Sequence, residues 1–246
     1  MRPILLVALL AGCAPSDHRV GEAGPHWGYS GASGPEHWGG LDAAFTACAG
    51  GRSQSPINLA TFVETDLPPL AFSHTAGATE VQHHGHTIQV PVPPGNELRV
   101  DGRAYTLRQF HFHAPSEHRI DGRSFPMEGH FVHADAAGAL LVLAVMFEGG
   151  AASAALHAIW ARIPERSGAA NPLAPPLAPS ALLPPSRDYY RFDGSLTTPP
   201  CSEGVQWLVL KQPVSASAEQ IALFSQTIGH ANNRPLQPAN DRPVYR

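Results

Sequence analysis

Ala104-Tyr105-Thr106-Leu107-Arg108-Gln109-Phe110-His111-Phe112-His113 is the stretch that decides the fold. Apolar and polar residues alternate along it, the period of a β-strand with one buried face. Asp101-Gly102 stands between Leu98 and Tyr105, and Asp-Gly is the dipeptide of a tight hairpin turn. A second such pair, Asp121-Gly122, precedes a predicted strand over Met127–Ala134. Residues 135–138 then turn the chain into 139–147, a continuous apolar run that reads as a buried central strand. Short turns make these strands antiparallel neighbours. Alternate side chains leave a strand on one face, so His111 and His113 point the same way. His130 returns on the next strand. Three neutral imidazoles on one patch of sheet make an open zinc site, with the fourth position left for water. Zinc so held acidifies its water and supplies hydroxide near neutral pH.

Working outward, 205–210 reads as another buried strand. Residues 151–162 have helical composition, with Leu156, Ile159 and Trp160 spaced for one face, and Ala218–Ile228 predicts a second short helix. Residues 171–185 are rich in proline, alanine and leucine. Proline excludes a helix interior or a central strand there, so an extended surface crossing is expected. No internal repeat is visible. The fold class that follows is mainly β (α+β), one domain with small peripheral helices.

The bulk numbers agree. The chain has 246 residues, of which 43% are hydrophobic, enough for one large core. The 25 prolines and 23 glycines suit many turns between short strands. A net charge of −4 and a pI near 6.4 argue against nucleic acid as a main partner.

Met1-Arg2 followed by apolar residues 3–10 is too short to span a bilayer and reads as a signal peptide over 1–12. Leu10-Ala11-Gly12-Cys13 resembles the lipobox of bacterial lipoproteins, which implies cleavage before Cys13 and lipid on its sulfur. More than one acyl chain gives stable anchoring. Residues 13–23 are then the lipidated cysteine and a flexible tether, and 24–246 the catalytic domain. Ala14, rather than aspartate, favours outer-membrane sorting. The chain is expected to be exported to the periplasm or cell envelope, with the membrane as a partner through Cys13. Cys48 and Cys201 remain. An oxidising compartment predicts a disulfide between them, with two reduced buried thiols as the alternative.

Several stretches, in this order, resemble the α-class carbonic anhydrases. They are His26-Trp27-Gly28-Tyr29, Gly34-Pro35-Glu36-His37-Trp38, Gln54-Ser55-Pro56-Ile57-Asn58, Gly85-His86, 109–113 and Ser116-Glu117-His118. Residues 128–133, Gly194-Ser195-Leu196-Thr197-Thr198-Pro199-Pro200-Cys201 and Asn233-Arg234-Pro235 complete the set. The resemblance implies a large, twisted, mostly antiparallel sheet. It also implies reversible hydration of carbon dioxide to bicarbonate and a proton by zinc-bound hydroxide, the chemistry for which this family is itself the reference case.

The resemblance distributes the roles. His111, His113 and His130 match the zinc ligands, with Gln109 accepting from His111 and Glu128 from His130. Thr197 and Glu117 match a gate pair. Ionised Glu117 accepts the threonine proton, so that the hydroxyl in turn accepts from the hydroxide and aims it at carbon dioxide. His86 matches the proton shuttle. Val132, Val142, Leu196, Val205 and Trp207 match an apolar wall for carbon dioxide, Thr198 a residue that holds water, and Tyr29 one that orders cavity water. His118 and His133 match buried structural histidines. His83 and His84 depart from the pattern, since relatives more often carry asparagine before Gly85-His86, and Gln89 replaces a common asparagine. Two other readings fit parts of the chain. One is a non-catalytic binding module on the same scaffold, which would be expected to lack a zinc histidine. The other is a zinc esterase, which would need a larger cavity and a general base beside the water.

Overall fold

The computed structural model describes residues 26–246. The expected signal peptide, Cys13 and the tether lie outside the described residues. One sheet of 13 strands dominates. Its main run is ordered Ala170–Leu177, Ala78–His83, Ile88–Pro91, Arg103–His113, Met127–Ala134, Leu140–Gly149, Glu203–Leu210 and Tyr189–Ser195. The short strands Val244–Tyr245 and Phe62–Val63 continue it. The strands read from the sequence pair as expected: Arg103–His113 and Leu140–Gly149 both lie antiparallel to Met127–Ala134. Leu140–Gly149 pairs on its other side with Glu203–Leu210 in parallel. A parallel pair needs a long crossover. Here it passes through helix Ala154–Trp160 and edge strand Ala170–Leu177, and the sheet is therefore mixed.

One irregularity places the site. Tyr105 and Leu107 face the main core, and so do Phe110 and Phe112. Unbroken alternation cannot put odd and even residues on one side. The pairing slips between Leu107 and Gln109, whose partners His133 and Val132 are adjacent residues. Arg108 is thus the extra residue of a β-bulge, and the parity of the strand reverses there. Past the bulge, Gln109, His111 and His113 leave on the opposite face from Phe110 and Phe112.

The two faces of the sheet are differently covered. One is packed by Leu156, Ile159 and Trp160 of helix Ala154–Trp160 and by Phe224 and Ile228 of helix Ala218–Ile228. The other holds Val142, Ala144, Val205, Trp207 and Phe192 around a second apolar cluster. The helix expected over 151–162 is shorter, Ala154–Trp160. The Ser153 side chain caps its start by accepting from Leu156 N–H, and Pro164 biases Ile163 out of helical backbone at its end. Helix Ala218–Ile228 has the predicted bounds, opened by a Ser217/Gln220 capping box and closed by Gly229 at φ 78°. Over 171–185 the chain forms edge strand Ala170–Leu177 and then a one-turn 3-10 helix, Pro179–Leu182. That turn corrects the expectation of a wholly extended crossing. A proline in its first positions, where N–H groups have no partner within the turn, is compatible with it.

Candidate metal centre

His111 lies directly opposite His130 in the register, and His113 opposite Glu128. The ring centres of the three histidines are 4.5–5.3 Å apart. Each ring has one nitrogen committed to an acceptor. His111 Nδ1 donates to Gln109 Oε1 at 2.8 Å, His113 Nδ1 to the Asn232 carbonyl at 2.7 Å, and His130 Nε2 to Glu128 Oε1 at 2.9 Å. A neutral imidazole with a proton on one nitrogen offers a lone pair on the other. The free set is therefore His111 Nε2, His113 Nε2 and His130 Nδ1. One ligand atom from each of the three rings lies within 4.8 Å of the others. His113 Nε2 is buried with no hydrogen-bond partner among the described residues. Burial, reinforced by the neighbouring imidazoles, lowers the pKa of His111 well below the ordinary value, and burial pushes His113 down to about 4. His130 is also lowered by burial, against the opposing charge of Glu128. All three are neutral at physiological pH, the form that ligates a metal. Three neutral nitrogens with fixed tautomers fit zinc.

Glu128 anchors this group. Its Oε1 accepts from both His118 Nδ1 and His130 Nε2, and its Oε2 from the backbone N–H groups of Glu117 and His118. Burial alone would raise its pKa, but the two histidines hold the carboxyl well below the usual range. His118, Glu128 and His130 also cluster closely enough for a metal. Their facing atoms are spent on hydrogen bonds to one another, so they act as support.

Glu117 sits 3.7 Å from His113 Nδ1 and 3.9 Å from His130 Nδ1. Its Oε1 accepts from the Arg234 N–H at 2.8 Å. Burial pushes its pKa up to about 7, against His130, the Arg234 N–H and the Thr197 hydroxyl. Thr197 is close enough to favour the ionised carboxylate, yet Oε2 has no partner at bonding distance among the described residues. The pair is a near contact rather than a closed hydrogen bond. Val142, Val205 and Trp207 are buried, and Val132 and Leu196 partly buried, in one apolar cluster. Trp207 stands 4.9 Å from the His130 ring, which puts this wall beside the histidines. Gly194 permits that packing: a Cβ there would collide with Ser55 Oγ and come within 2.9 Å of Trp207. Thr198 is half-buried, and its carbonyl accepts from Cys201 N–H at 2.8 Å.

His86 packs its ring 4.4 Å from Trp27. Burial, then His84, His113, His230 and His83, hold its pKa at about 4, below the near-neutral value expected of a shuttle. Tyr29 packs edge-on against Trp27 and Trp38, and its buried hydroxyl has no hydrogen bond among the described residues. Burial and the nearby Glu117 raise its pKa well above the ordinary value. Cys48 and Cys201 form a disulfide across 153 residues. His133 donates from Nδ1 to the Phe131 carbonyl and stays clear of the centre.

Two residues that matter here were not singled out from the sequence. The carbonyl of Asn232 holds His113. Its side chain bonds Ala114 N–H, the Phe112 carbonyl and the His86 carbonyl, tying a ligand strand to the loop of His86. Arg234 is 2% exposed and donates to Gln54 Oε1 and to the carbonyls of Ser55 and Cys48. Arg234 belongs to one of the matching stretches, but no pattern marks Asn232 as buried and its neighbour Asn233 as not.

A family model described as eukaryotic-type carbonic anhydrase matches residues 33–246. A carbonic anhydrase of Pectobacterium carotovorum is 54% identical over 219 residues, 89% of this chain and 90% of its own. One from Neisseria gonorrhoeae is 46% identical over 98% of this chain and 96% of its own. Among solved structures, the α-carbonic anhydrase of Thermovibrio ammonificans in complex with the inhibitor sulfanilamide superposes with a TM-score of 0.89. It is 47% identical and covers 91% of this chain and 100% of its own.

Proposed function

The chain belongs to the α-carbonic anhydrase family, enzymes of carbon dioxide hydration, and from that premise we propose that His111, His113 and His130 hold its zinc. The observation that carries this is the tautomer set. Each ring donates outward, and the three remaining nitrogens converge with no protein partner required of them. When bound, zinc supplies Lewis acidity that makes hydroxide available near neutral pH, a property for which this family is the standard example.

The chain's own residues do the rest. Gln109, Glu128 and the Asn232 carbonyl keep each imidazole in its ligating tautomer. In its ionised form, which His130, the Arg234 N–H and Thr197 favour against burial, Glu117 accepts from the Thr197 hydroxyl, so Thr197 can in turn accept from the attacking oxygen and fix its direction. Carbon dioxide is apolar and packs against Val132, Val142, Leu196, Val205 and Trp207, which exclude water from that side. Bicarbonate forms, and His86 passes the released proton outward through bridging water. Tyr29 and Thr198 order that water.

Zinc content and stopped-flow hydration, measured together on wild type and His113→Ala after zinc loading, test the ligand assignment. The variant is expected to lose both the bound ion and the activity. Equal activity in the two proteins rejects the assignment.

A further inference from the structure

Strand Ala78–His83 ends in His83, His84 follows it, and the chain turns at Gly85, φ 85°, to present a third histidine, His86. Gln82 Nε2 donates to Glu80 Oε1 at 2.6 Å, which aims Gln82 Oε1 the other way. That oxygen accepts from Gln89 Nε2 at 3.3 Å and lies 3.0 Å from His84 Nε2. An amide oxygen only accepts, so His84 Nε2 carries the hydrogen and Nδ1 keeps a lone pair. The exposed ring of His84 stands 6.4 Å from that of His86. Gln89, at the far end of this ladder, is paired in register with His111. The titratable groups around His84 are Glu80 through Gln82, His83 beside it and His86 inward. His230 faces His86 from beyond the other end of helix Ala218–Ile228.

His86 alone is a poor proton store. Its ring lies on Trp27, and burial with the surrounding histidines holds its pKa at about 4. A proton placed there must move on at once, and the next imidazole toward solvent is His84.

We propose that His84 is a second proton-carrying side chain of this enzyme, acting in parallel with His86 and as the next station beyond it. Nδ1 takes a proton from cavity water or from His86, while Nε2–H stays on Gln82. The imidazolium then releases the Nδ1 proton to solvent or buffer, and the neutral tautomer is restored with no other reactant. The inference rests on the carbonic anhydrase reading given above.

Oxygen-18 exchange on the zinc-loaded full chain separates the two. It yields the rate of carbon dioxide–bicarbonate interconversion and, separately, the rate of labelled-water release, which proton delivery limits. The set is wild type, His84→Ala, His84→Asn, His86→Ala and the double variant His84→Ala/His86→Ala. Release is expected to fall in each single variant and about tenfold further in the double than in His86→Ala. In the two His84 single variants interconversion should hold steady, and added imidazole should restore release. If release is indifferent to both His84 single substitutions and no lower in the double variant than in His86→Ala, while interconversion is intact, the inference is overturned. If wild type shows no interconversion at all, the carbonic anhydrase reading itself fails. His84→Asn guards against a turn disturbed by alanine, because it keeps a polar side chain there while removing the titratable ring.

Discussion

Replacing Arg234 with methionine is the most discriminating test of how this site is braced. The guanidinium is 2% exposed and satisfies three acceptors at 2.8 Å each: Gln54 Oε1, Ser55 O and Cys48 O. Methionine fills similar volume and donates nothing. Each buried acceptor left without a donor costs about 1–3 kcal/mol, so three of them cost roughly 6 kcal/mol. Against this stands relief from burying a cation. Burial lowers the Arg234 pKa from 12.5 to about 10, with Glu117 opposing the shift. That corresponds to roughly 3 kcal/mol of penalty on the charged form. The acceptor term wins, and Arg234→Met should lose about 3 kcal/mol.

For a chain of this size such a loss lowers Tm by about 6–12 °C. The measurement is urea and thermal unfolding with the disulfide intact and zinc removed by chelation, so that metal linkage does not mask the change. Arg234→Lys serves as a second arm. One ammonium cannot span the fork between the Gln54 and Cys48 sides, so it should recover less than half of the loss. If Arg234→Met unfolds within about 0.5 kcal/mol of wild type, the three acceptors are not dependent on Arg234, and the reasoning is wrong.

Gln109→Ala removes the acceptor that fixes the His111 tautomer and should weaken zinc binding about 10–100-fold in chelator competition, with all three ligands still in place; an unchanged Kd would show that the tautomer is set elsewhere. His133 is held to about 4 by burial, whereas the unfolded side chain titrates near 6.5. Between those values the unfolded state binds more protons, so this residue makes stability fall as pH drops through the window, by up to roughly 3 kcal/mol. His133→Gln should flatten that part of the stability–pH curve, and an identical slope would remove His133 as its cause.

How much was legible from the sequence depended on how local each feature is. The strand patterns over 104–113 and 127–134 and the apolar run after 138 gave three strands that do lie side by side, although the Asp-Gly turn at 101–102 pairs Arg103–His113 with Asn96–Val100 and that at 121–122 closes only the small Ile120–Arg123 bridge. His130 was expected on the strand beside His111, but its direct pairing with His111 was not readable, because the connection between the two strands is too long to fix their register. Helix Ala218–Ile228 was readable to its ends because its cap residues are its own. The bulge at Arg108 was not, since nothing in 104–113 marks where alternation fails. The parallel pairing of Leu140–Gly149 with Glu203–Leu210 joins segments far apart in the chain, and strand patterns do not name distant partners. The same holds for the His86 environment. The resemblance made His86 a shuttle titrating near neutral pH, but Trp27, distant in the chain, packs against its ring.

The long-range links around Arg234 explain why Glu117 and Thr197 can be held together without bonding tightly to each other. Glu117 receives its hydrogen bond from Arg234 N–H, and the Arg234 side chain reaches the Cys48 carbonyl. Cys48 is joined through its disulfide to Cys201, and Cys201 N–H bonds Thr198 O, one residue beyond Thr197. The carboxylate and the hydroxyl are thus both positioned from one anchor, by backbone and covalent links that do not involve the reacting atoms. Ordering a loop costs about 1–2 kcal/mol of backbone entropy per residue, and these links meet that cost in the folded chain before substrate arrives.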